Sequence, residues 1–297
     1  MADITTTVPA APARHMGRTV RALLAQPKVV WAGGFIFFLI ALAFLAPLIA
    51  PHDPGAQDLM SGTLPPIGFA EHDASFLLGT DDLGRDVLSR LIYGTRVALT
   101  VAFVAATLAA VFGTLLGLLA GYYGGITDTI VSRLIEIWMA FPPVLLSILV
   151  VAIMGSGVVS VIAAIAIIDW TRFARVVRTE TMAQAQADYV TAARTLGFSR
   201  LTILFREILP NVAPVLLALL TLEMGIAVIV EAILSFVGLS VSSDTPTWGG
   251  MIAQGRQIIY QAWWVFAAPL VALFLTVLAF NQLGDGLRRV FDPVMQR

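Results

Sequence analysis

Long apolar runs alternate with short polar stretches along most of the chain. The first run, Val29 to Ala50, would form a helix about 33 Å long, enough to cross the hydrocarbon core of a bilayer. Further runs that we predict to be transmembrane helices are Val97 to Tyr122, about Ile130 to Gly155, about Val212 to Val237, and about Val265 to Leu283. This pattern predicts an all-α integral membrane protein.

One more span is less regular. The apolar stretch Val158 to Trp170 is too short to cross a membrane by itself, and Arg172, Arg175 and Arg178 follow it at every third position. We predict that one helix continues through these arginines, which snorkel to the cytoplasmic headgroups; contact with a cytoplasmic partner protein is the alternative. The predicted number of transmembrane helices is therefore six.

Prolines and glycines subdivide the predicted spans. The pair Pro142-Pro143 must kink or break the third span, and Pro269 is expected to kink the last one. Gly155-Ser156-Gly157 predicts a turn outside the membrane. Gly113 and Gly117 stand in a small-xxx-small spacing, which lets another helix approach the second span closely.

Acidic residues inside the spans are candidate functional residues, because one such side chain at mid-depth costs about 2.5–3.5 kcal/mol. They are Glu136, near the cytoplasmic end of its span, and Glu223 and Glu231, which lie eight residues apart and so near one helix face. We favour a place on an aqueous translocation path or in hydrogen bonds between helices. Proton relays in a secondary transporter are the alternative.

The polar stretches set the expected orientation. We predict a cytoplasmic tail over residues 1–28, a first helix over 29–50, an external loop over 51–96, a five-helix core over 97–284 and a cytoplasmic end over 285–297. Basic residues are more frequent on the side that carries both termini, which fits the positive-inside rule. A second external loop is expected over residues 246–261, followed by Trp263 and Trp264 at the membrane interface.

Composition limits the chemistry. The 297 residues are 58% hydrophobic and 12% charged, and they include no cysteine, which excludes thiolate metal sites and disulfides. The single lysine, Lys28, does not stand in a phosphate-binding glycine-rich loop, and the three histidines lie in the tail and the external loop. We therefore expect neither an enzyme nor a bound cofactor or metal.

Residues 189–211 form a polar island within this apolar chain, and we predict a cytoplasmic coupling loop over residues 185–210. Tyr189, Ala193 and Leu196 give a two-turn helix one apolar side, Gly197 permits a left-handed exit, and Ser199 can cap a second helix. The apolar stripe expected on that second helix is Leu201, Leu204, Phe205 and Ile208. Two short helices at a fixed bend suit a rigid plug that couples the membrane region to another protein; an interfacial amphipathic helix is the alternative.

This island resembles the EAA loop of permease subunits of ABC importers, through Ala192, Ala193, Gly197 and the later Ile208-Leu209-Pro210. Thr191 stands where the family usually has glutamate, and Glu207 where many members of the peptide-importer branch have histidine. The resemblance implies a set of ATPase-coupling residues: Tyr189, Ala192, Ala193, Arg194, Gly197, Leu209 and Pro210.

Two other stretches resemble the second permease subunit of dipeptide, oligopeptide and nickel importers: residues 78–96, and residues 281–289 with Asp292-Pro293. In the first stretch Gly79 and Gly84 supply turns, and Asp86 can start a helix. We expect its charges to cap helices and pair locally rather than to touch substrate. Docking of a binding protein is a secondary possibility.

The resemblance implies a type I ABC importer permease fold in the bacterial inner membrane, with both termini cytoplasmic. It also implies the partners: a second homologous permease subunit, two ATP-binding subunits, a periplasmic substrate-binding protein, a peptide substrate and membrane lipid, but no nucleic acid. Nickel complexes, glutathione, opines and sugars remain alternative substrates. A proton-coupled secondary transporter and a non-transporting assembly protein remain the alternative functions.

Overall fold

The computed structural model describes residues 23–240 and 245–291, and the predicted tail and the Asp292-Pro293 pair lie mostly or wholly outside them. The described part is helical apart from connecting loops and one isolated bridge between Thr80 and Asp86. The helices are α1 Pro27–Ile49, α2 Val87–Tyr123, α3 Gly125–Met139, α4 Pro143–Met154, α5 Val158–Ala185, α6 Asp188–Thr195, α7 Arg200–Phe236, α8 Trp248–Gln257 and α9 Trp263–Phe291.

Four helices, α1, α2, α7 and α9, are long and apolar enough to cross a membrane. The short helices α3 and α4 add a fifth candidate if they count as one span, although they meet at an angle of 87°. The bend falls at the predicted break, because Pro142 and Pro143 cannot continue the hydrogen-bond ladder of α3. Helix α5 is 28 residues long but is not among these candidates, since charged residues enter it from Asp169 onward.

Helices α2 and α5 make the closest helix pair of the bundle. A Cβ atom added to Gly117 of α2 would lie 2.7 Å from the carbonyl oxygen of Ala174 in α5. Gly113 and Gly121, one turn before and after, would come within 2.3 and 2.6 Å of other α5 carbonyl oxygens. The predicted small-xxx-small contact is confirmed, and Gly121 extends it by one turn beyond Gly113 and Gly117.

On the other side of α2, helices α7, α9 and α1 complete the bundle. Their shared core includes Ala102 of α2, Val228 of α7, Phe280 of α9 and Ile36 of α1. The rest of α1 carries large exposed apolar side chains: Phe37, Phe38, Phe44 and Leu48. Such a surface suits the lipid side of a membrane helix.

Residues 50–86, here called the α1–α2 lobe, are held by buried charges. The Asp81 carboxylate accepts a 2.7 Å hydrogen bond from Arg85 Nε and lies 3.6 Å from Arg90 Nε. Asp86 caps α2 by accepting a 2.9 Å hydrogen bond from the Ser89 backbone nitrogen. Arg85 also donates to Gln254 of α8 at 2.8 Å. The expected capping and local pairing are confirmed.

Two expectations for the neighbouring segments are wrong. Residues 248–257 form α8 rather than a loop, because Gly249 and Gly255 serve close packing: a Cβ on Gly249 would lie 2.1 Å from a carbonyl oxygen of α7. Trp264 is buried rather than interfacial, and its Nε1 donates to the Thr80 carbonyl oxygen at 3.1 Å. Trp263 is half exposed, as expected for an interfacial indole.

The α2–α5 contact predicts the effect of a side chain on Gly117. Gly117→Val should destabilise the protein by about 1–3 kcal/mol, because the new side chain must push α5 away. Gly34→Val is the matched control, since nothing lies within 4 Å of a Cβ on Gly34 in α1. Thermal unfolding in detergent should show a lower midpoint for Gly117→Val only; equal midpoints would contradict the close contact.

The buried charges of the α1–α2 lobe generate a second prediction. Asp81→Ala leaves the largely buried Arg85 and Arg90 without their shared carboxylate, and removing one partner of such a pair costs about 3–5 kcal/mol. Proteolysis of the lobe should accelerate strongly in this variant. Asp73→Ala, which removes an exposed carboxylate of the same lobe, should leave the cleavage rate unchanged. Similar cleavage rates for the two variants would contradict the stabilising role of Asp81.

Candidate functional site

Residues 186–208, here called the elbow, comprise α6, the turn at Gly197 and the first turns of α7, and they contain most of the predicted site. Helix α6 ends in a turn where the Phe198 backbone nitrogen donates to the Ala193 carbonyl oxygen at 3.1 Å. Gly197 in this turn has a φ of +81°, the left-handed conformation that glycine adopts without strain. The predicted glycine exit is confirmed.

The second part of the elbow differs from the prediction. Ser199 caps a helix as expected, its Oγ accepting a 3.2 Å hydrogen bond from the Thr202 backbone nitrogen. That helix does not end before the membrane span but continues to Phe236. A π-helical turn over Ile203–Ile208 precedes Pro210, and its wider ladder accommodates a residue that has no backbone donor. The second part of the elbow, from Arg200, and the span that follows it are therefore one continuous helix.

Two small patches of the elbow anchor it to the bundle. Val190 and Ala193 of α6 are buried, one helical turn apart, and pack with Ile208 of α7. Leu118 of α2 and Val177 of α5 belong to the same cluster. The elbow is therefore fixed to the ends of both helices of the close pair and is not a free loop.

The predicted apolar stripes were partly wrong. Leu196, placed on the buried side by its spacing, is 75% exposed because α6 ends at Thr195 and the turn at Gly197 carries it outward. The elbow exposes four large apolar side chains: Leu196, Phe198, Leu201 and Phe205. Apolar side chains gathered on an exposed rigid element are typical of a protein contact surface.

The remaining predicted coupling residues hold the elbow in shape. Arg194 lies over the Tyr122 ring at 5.4 Å, and Tyr189 donates a 2.7 Å hydrogen bond from its hydroxyl to Gln184. Burial raises the pKa of the Tyr189 phenol, which keeps it a neutral donor. Ala192 is exposed beside this core.

Leu209 and Pro210 lie in α7 directly after the elbow. Leu209 is half-buried in the same cluster as Val190 and Ala193, whereas Pro210 is exposed. The structure thus brings the predicted coupling residues into one element. Four of these residues are exposed: Ala192, Arg194 and Gly197 in the elbow, and Pro210 directly after it.

The two predicted membrane glutamates are buried and partnered, but not by each other. Glu223 receives a 3.0 Å hydrogen bond from Arg172 Nη1, and Arg172 Nε also lies 3.9 Å from Asp169. Glu231 accepts a 2.5 Å hydrogen bond from Ser235 Oγ. Glu136 is exposed and pairs with Arg133 on its own helix.

Two of the three arginines in α5 have carboxylate partners that the snorkelling prediction did not include. Arg172 pairs with Glu223, and Arg178 pairs with Asp128, its Nη2 donating to Oδ2 at 2.7 Å. A nearby carboxylate offers the arginine charge-assisted hydrogen bonds. Extending the side chain to the lipid headgroups would give it no stronger partner. The spacing of the arginines gave no signal for these partners, because both carboxylates come from other helices.

Comparison with known proteins decides the family. Residues 113–297 match the family described as the inner membrane component of binding-protein-dependent transport systems. The chain belongs to this family. Residues 16–66 match the N-terminal transmembrane domain of oligopeptide transport permease C.

Several relatives of this permease cover most of its length. It is 40% identical over 266 residues to a di/tripeptide transport system permease protein, DppC, of Pseudomonas aeruginosa, covering 89% of this chain and 88% of the relative. It is 41% identical over 276 residues to a glutathione transport system permease protein, GsiD, of Pectobacterium atrosepticum, covering 93% and 90%. The resemblance found in the sequence is confirmed.

A solved structure shares the fold of the permease. A chain of the inward-facing MetNI methionine ABC transporter aligns with a TM-score of 0.56 at 23% identity, covering 68% of this chain and 96% of that one. The family and the relatives show that the protein is a multi-pass component of the inner membrane. As the membrane component of an ABC transport system it works with ATPase and binding-protein partners and is not itself an enzyme.

The anchoring of the elbow predicts different effects at two adjacent alanines. Ala193→Leu forces a larger side chain into the contact with α2 and α5 and should loosen α6 by about 1–3 kcal/mol. Trypsin should then cleave after Arg194 and Arg200 severalfold faster in detergent. Ala192→Leu places the same side chain on the exposed face and should leave cleavage unchanged. Equal cleavage in the two variants would mean that α6 is not anchored in this way.

Proposed function

We propose that this permease is one of two transmembrane subunits of a peptide importer. A second, homologous permease chain would complete the translocation path, two ATP-binding subunits would drive it, and a substrate-binding protein would deliver cargo from outside. The exposed apolar surface of the elbow carries this proposal. It is exposed, the buried side of the elbow is packed against α2 and α5, and from Arg200 onward the elbow is continuous with the rest of α7.

The proposed topology has six spans. They are α1, α2, the bent pair α3–α4, α5, α7 and α9. Helix α5 is included as a span although its charged residues keep it out of the apolar candidates. Both termini and the elbow then lie in the cytoplasm, and the α1–α2 lobe and α8 lie outside. The positive-inside rule supports this arrangement, because the α1–α2 lobe holds one arginine, Arg85, and Asp81 pairs with it and with Arg90 at the start of α2.

The elbow would transmit force in two directions. Closure of the ATPases pushes on the exposed residues Leu196, Phe198 and Ala192, and the rigid turn at Gly197 passes the motion into α7. The buried contacts of Val190 and Ala193 pass it at the same time to α2 and α5. Interfaces packed in this way move as bodies, so the spans would rock rather than deform.

Two observations support a peptide as cargo. The relatives are named for di/tripeptide and glutathione transport, and both kinds of molecule carry free carboxylates and an amino group. The permease also keeps ionisable groups in the proposed spans, with Glu223 and Glu231 both in α7. Their partners Arg172 and Ser235 account for their burial without a proton relay.

The test is ATP-dependent uptake of a labelled dipeptide into vesicles that contain the permease and its co-purified partners. Gly197→Val should lower uptake severalfold, because a β-branched residue in the left-handed conformation costs at least about 1–2 kcal/mol and reshapes the turn. Gly197→Asn is the matched control, since asparagine tolerates this conformation and should retain most of the uptake.

Two outcomes would contradict the proposal. Uptake that survives without ATP and follows the proton gradient would make the protein a secondary transporter. Equal uptake by Gly197→Val and Gly197→Asn, with both variants inserted normally, would remove the elbow from the coupling mechanism.

A further inference from the structure

Asp169, Arg172 and Glu223 form a charged cluster at one depth of the bundle. Arg172 stands 14 residues after the first residue of α5, about 21 Å along the helix, and Glu223 stands 13 residues before the last residue of α7, about 20 Å. The hydrocarbon core of a bilayer is about 30 Å thick. With α5 and α7 as spans, the cluster lies well inside the membrane.

The cluster is open on one side only. The side chains of Asp169 and Glu223 are 7% and 4% exposed, whereas that of Arg172 is 33% exposed. Its Nη1 donates to Glu223, and its Nη2 has no hydrogen-bond partner among the described residues. A guanidinium facing lipid at this depth is costly, so its open side must face water or a polar surface.

The break between α3 and α4 lies beside the cluster. Trp138, at the end of α3, donates from Nε1 to the Ile167 carbonyl oxygen of α5 at 2.7 Å, and Met139 contacts Arg175. The chain between these helices, residues 140–142, is not α-helical. Non-helical backbone at membrane depth is tolerated where it is buried in protein or lines a water-filled cavity. The open part of Arg172 and the Met139–Arg175 contact therefore favour an aqueous space along this face of α5, whereas the Trp138–Ile167 contact lies on another face, in an apolar cleft.

We propose that Arg172 binds the carboxylate of the cargo as it passes through the membrane, with Asp169 and Glu223 holding the guanidinium in position. This assignment rests on the proposed function and adds to it a binding residue and a chemical group of the substrate. The free carboxylate terminus is common to peptides of every sequence. A guanidinium can bind this carboxylate through two parallel N–H donors, whatever the side chains of the peptide.

The acidic neighbours explain why such a contact need not trap the cargo. Two carboxylates within 3.0 and 3.9 Å already neutralise part of the charge on Arg172. The attraction for a third carboxylate is therefore weaker than that of an isolated arginine in the same place. A transport path needs sites that cargo can leave as readily as it enters.

The first experiment measures water access without any transport. The natural chain contains no cysteine, so Arg172→Cys carries a single thiol. A membrane-impermeant trimethylammonium-ethyl methanethiosulfonate should label it in nanodiscs, forming a mixed disulfide and releasing methanesulfinate. Phe44→Cys, on the exposed apolar face of α1, is the lipid-facing control and should stay unlabelled. An unlabelled Arg172→Cys would overturn the proposal.

The second experiment compares uptake of a dipeptide with uptake of its C-terminal amide. For each variant we take the ratio of dipeptide uptake to amide uptake and divide it by the same ratio for the natural chain. The binding protein is the same in every assay, so its own preference for the acid or the amide cancels. Arg172→Cys should lower this ratio by roughly tenfold, about the effect of one charge-assisted hydrogen bond. Arg133→Cys, which removes an exposed arginine with its own carboxylate partner, should leave the ratio unchanged.

Chemical rescue separates a binding role from a structural one. Treating Arg172→Cys with 2-aminoethyl methanethiosulfonate restores a cation and should restore much of the acid preference, whereas the 2-sulfonatoethyl reagent should not. If uptake falls but the ratio stays unchanged, Arg172 merely ties α5 to α7 and the proposal is wrong. A ratio that changes for N-acetylated peptides instead would make the cluster an ammonium site. Absence of ATP-dependent uptake by the natural chain would refute the proposed function, while the labelling result would still stand by itself.

Discussion

Helices α2 and α5 touch backbone to backbone, and the positions of the functional elements follow from this contact. The glycines at 113, 117 and 121 leave no side chain between the helices, so the α5 carbonyls fix the distance and the rotation of α5. That rotation directs Arg172 toward α7 and Arg178 toward the first turn of α3. Helix α6 begins three residues after α5 ends, so the direction of the elbow depends on the same contact.

Charged residues in this apolar permease connect helices at three places in the structure. Arg178 and Asp128 join α5 to α3 near the elbow, Arg172 and Glu223 join α5 to α7 deeper in the bundle, and Arg85 joins the α1–α2 lobe to α8 through Gln254. Each buried charge has an opposite charge or a hydrogen-bond partner, as a low-dielectric surrounding requires. Arg172 differs from the others because part of its guanidinium stays open while its carboxylate partners are buried.

The π-helical turn before Pro210 connects these ties to the elbow. Pro210 has no backbone donor, and the helix continues past it and past Pro214 to Phe236. Helix α7 extends from the exposed Leu201 to the buried Glu231 as one helix. A displacement of the elbow therefore reaches Glu223 and its partner Arg172 without crossing a flexible joint, which is the property a coupling element needs.

The sequence by itself determined the apolar spans, the break at Pro142-Pro143, the turn at Gly197 and the family, because each depends on local geometry or on a contiguous motif. Burial within the elbow, the helix α8 and the partners of Arg172 and Trp264 were decided only by tertiary structure. Periodicity gives the spacing of apolar residues along a helix but not its rotation, so Leu196 was placed on the wrong side. A glycine in the sequence does not show whether it serves a loop or a close contact between helices. A charge finds its partner on whichever helix packs beside it, and no feature of either segment alone encodes that neighbour.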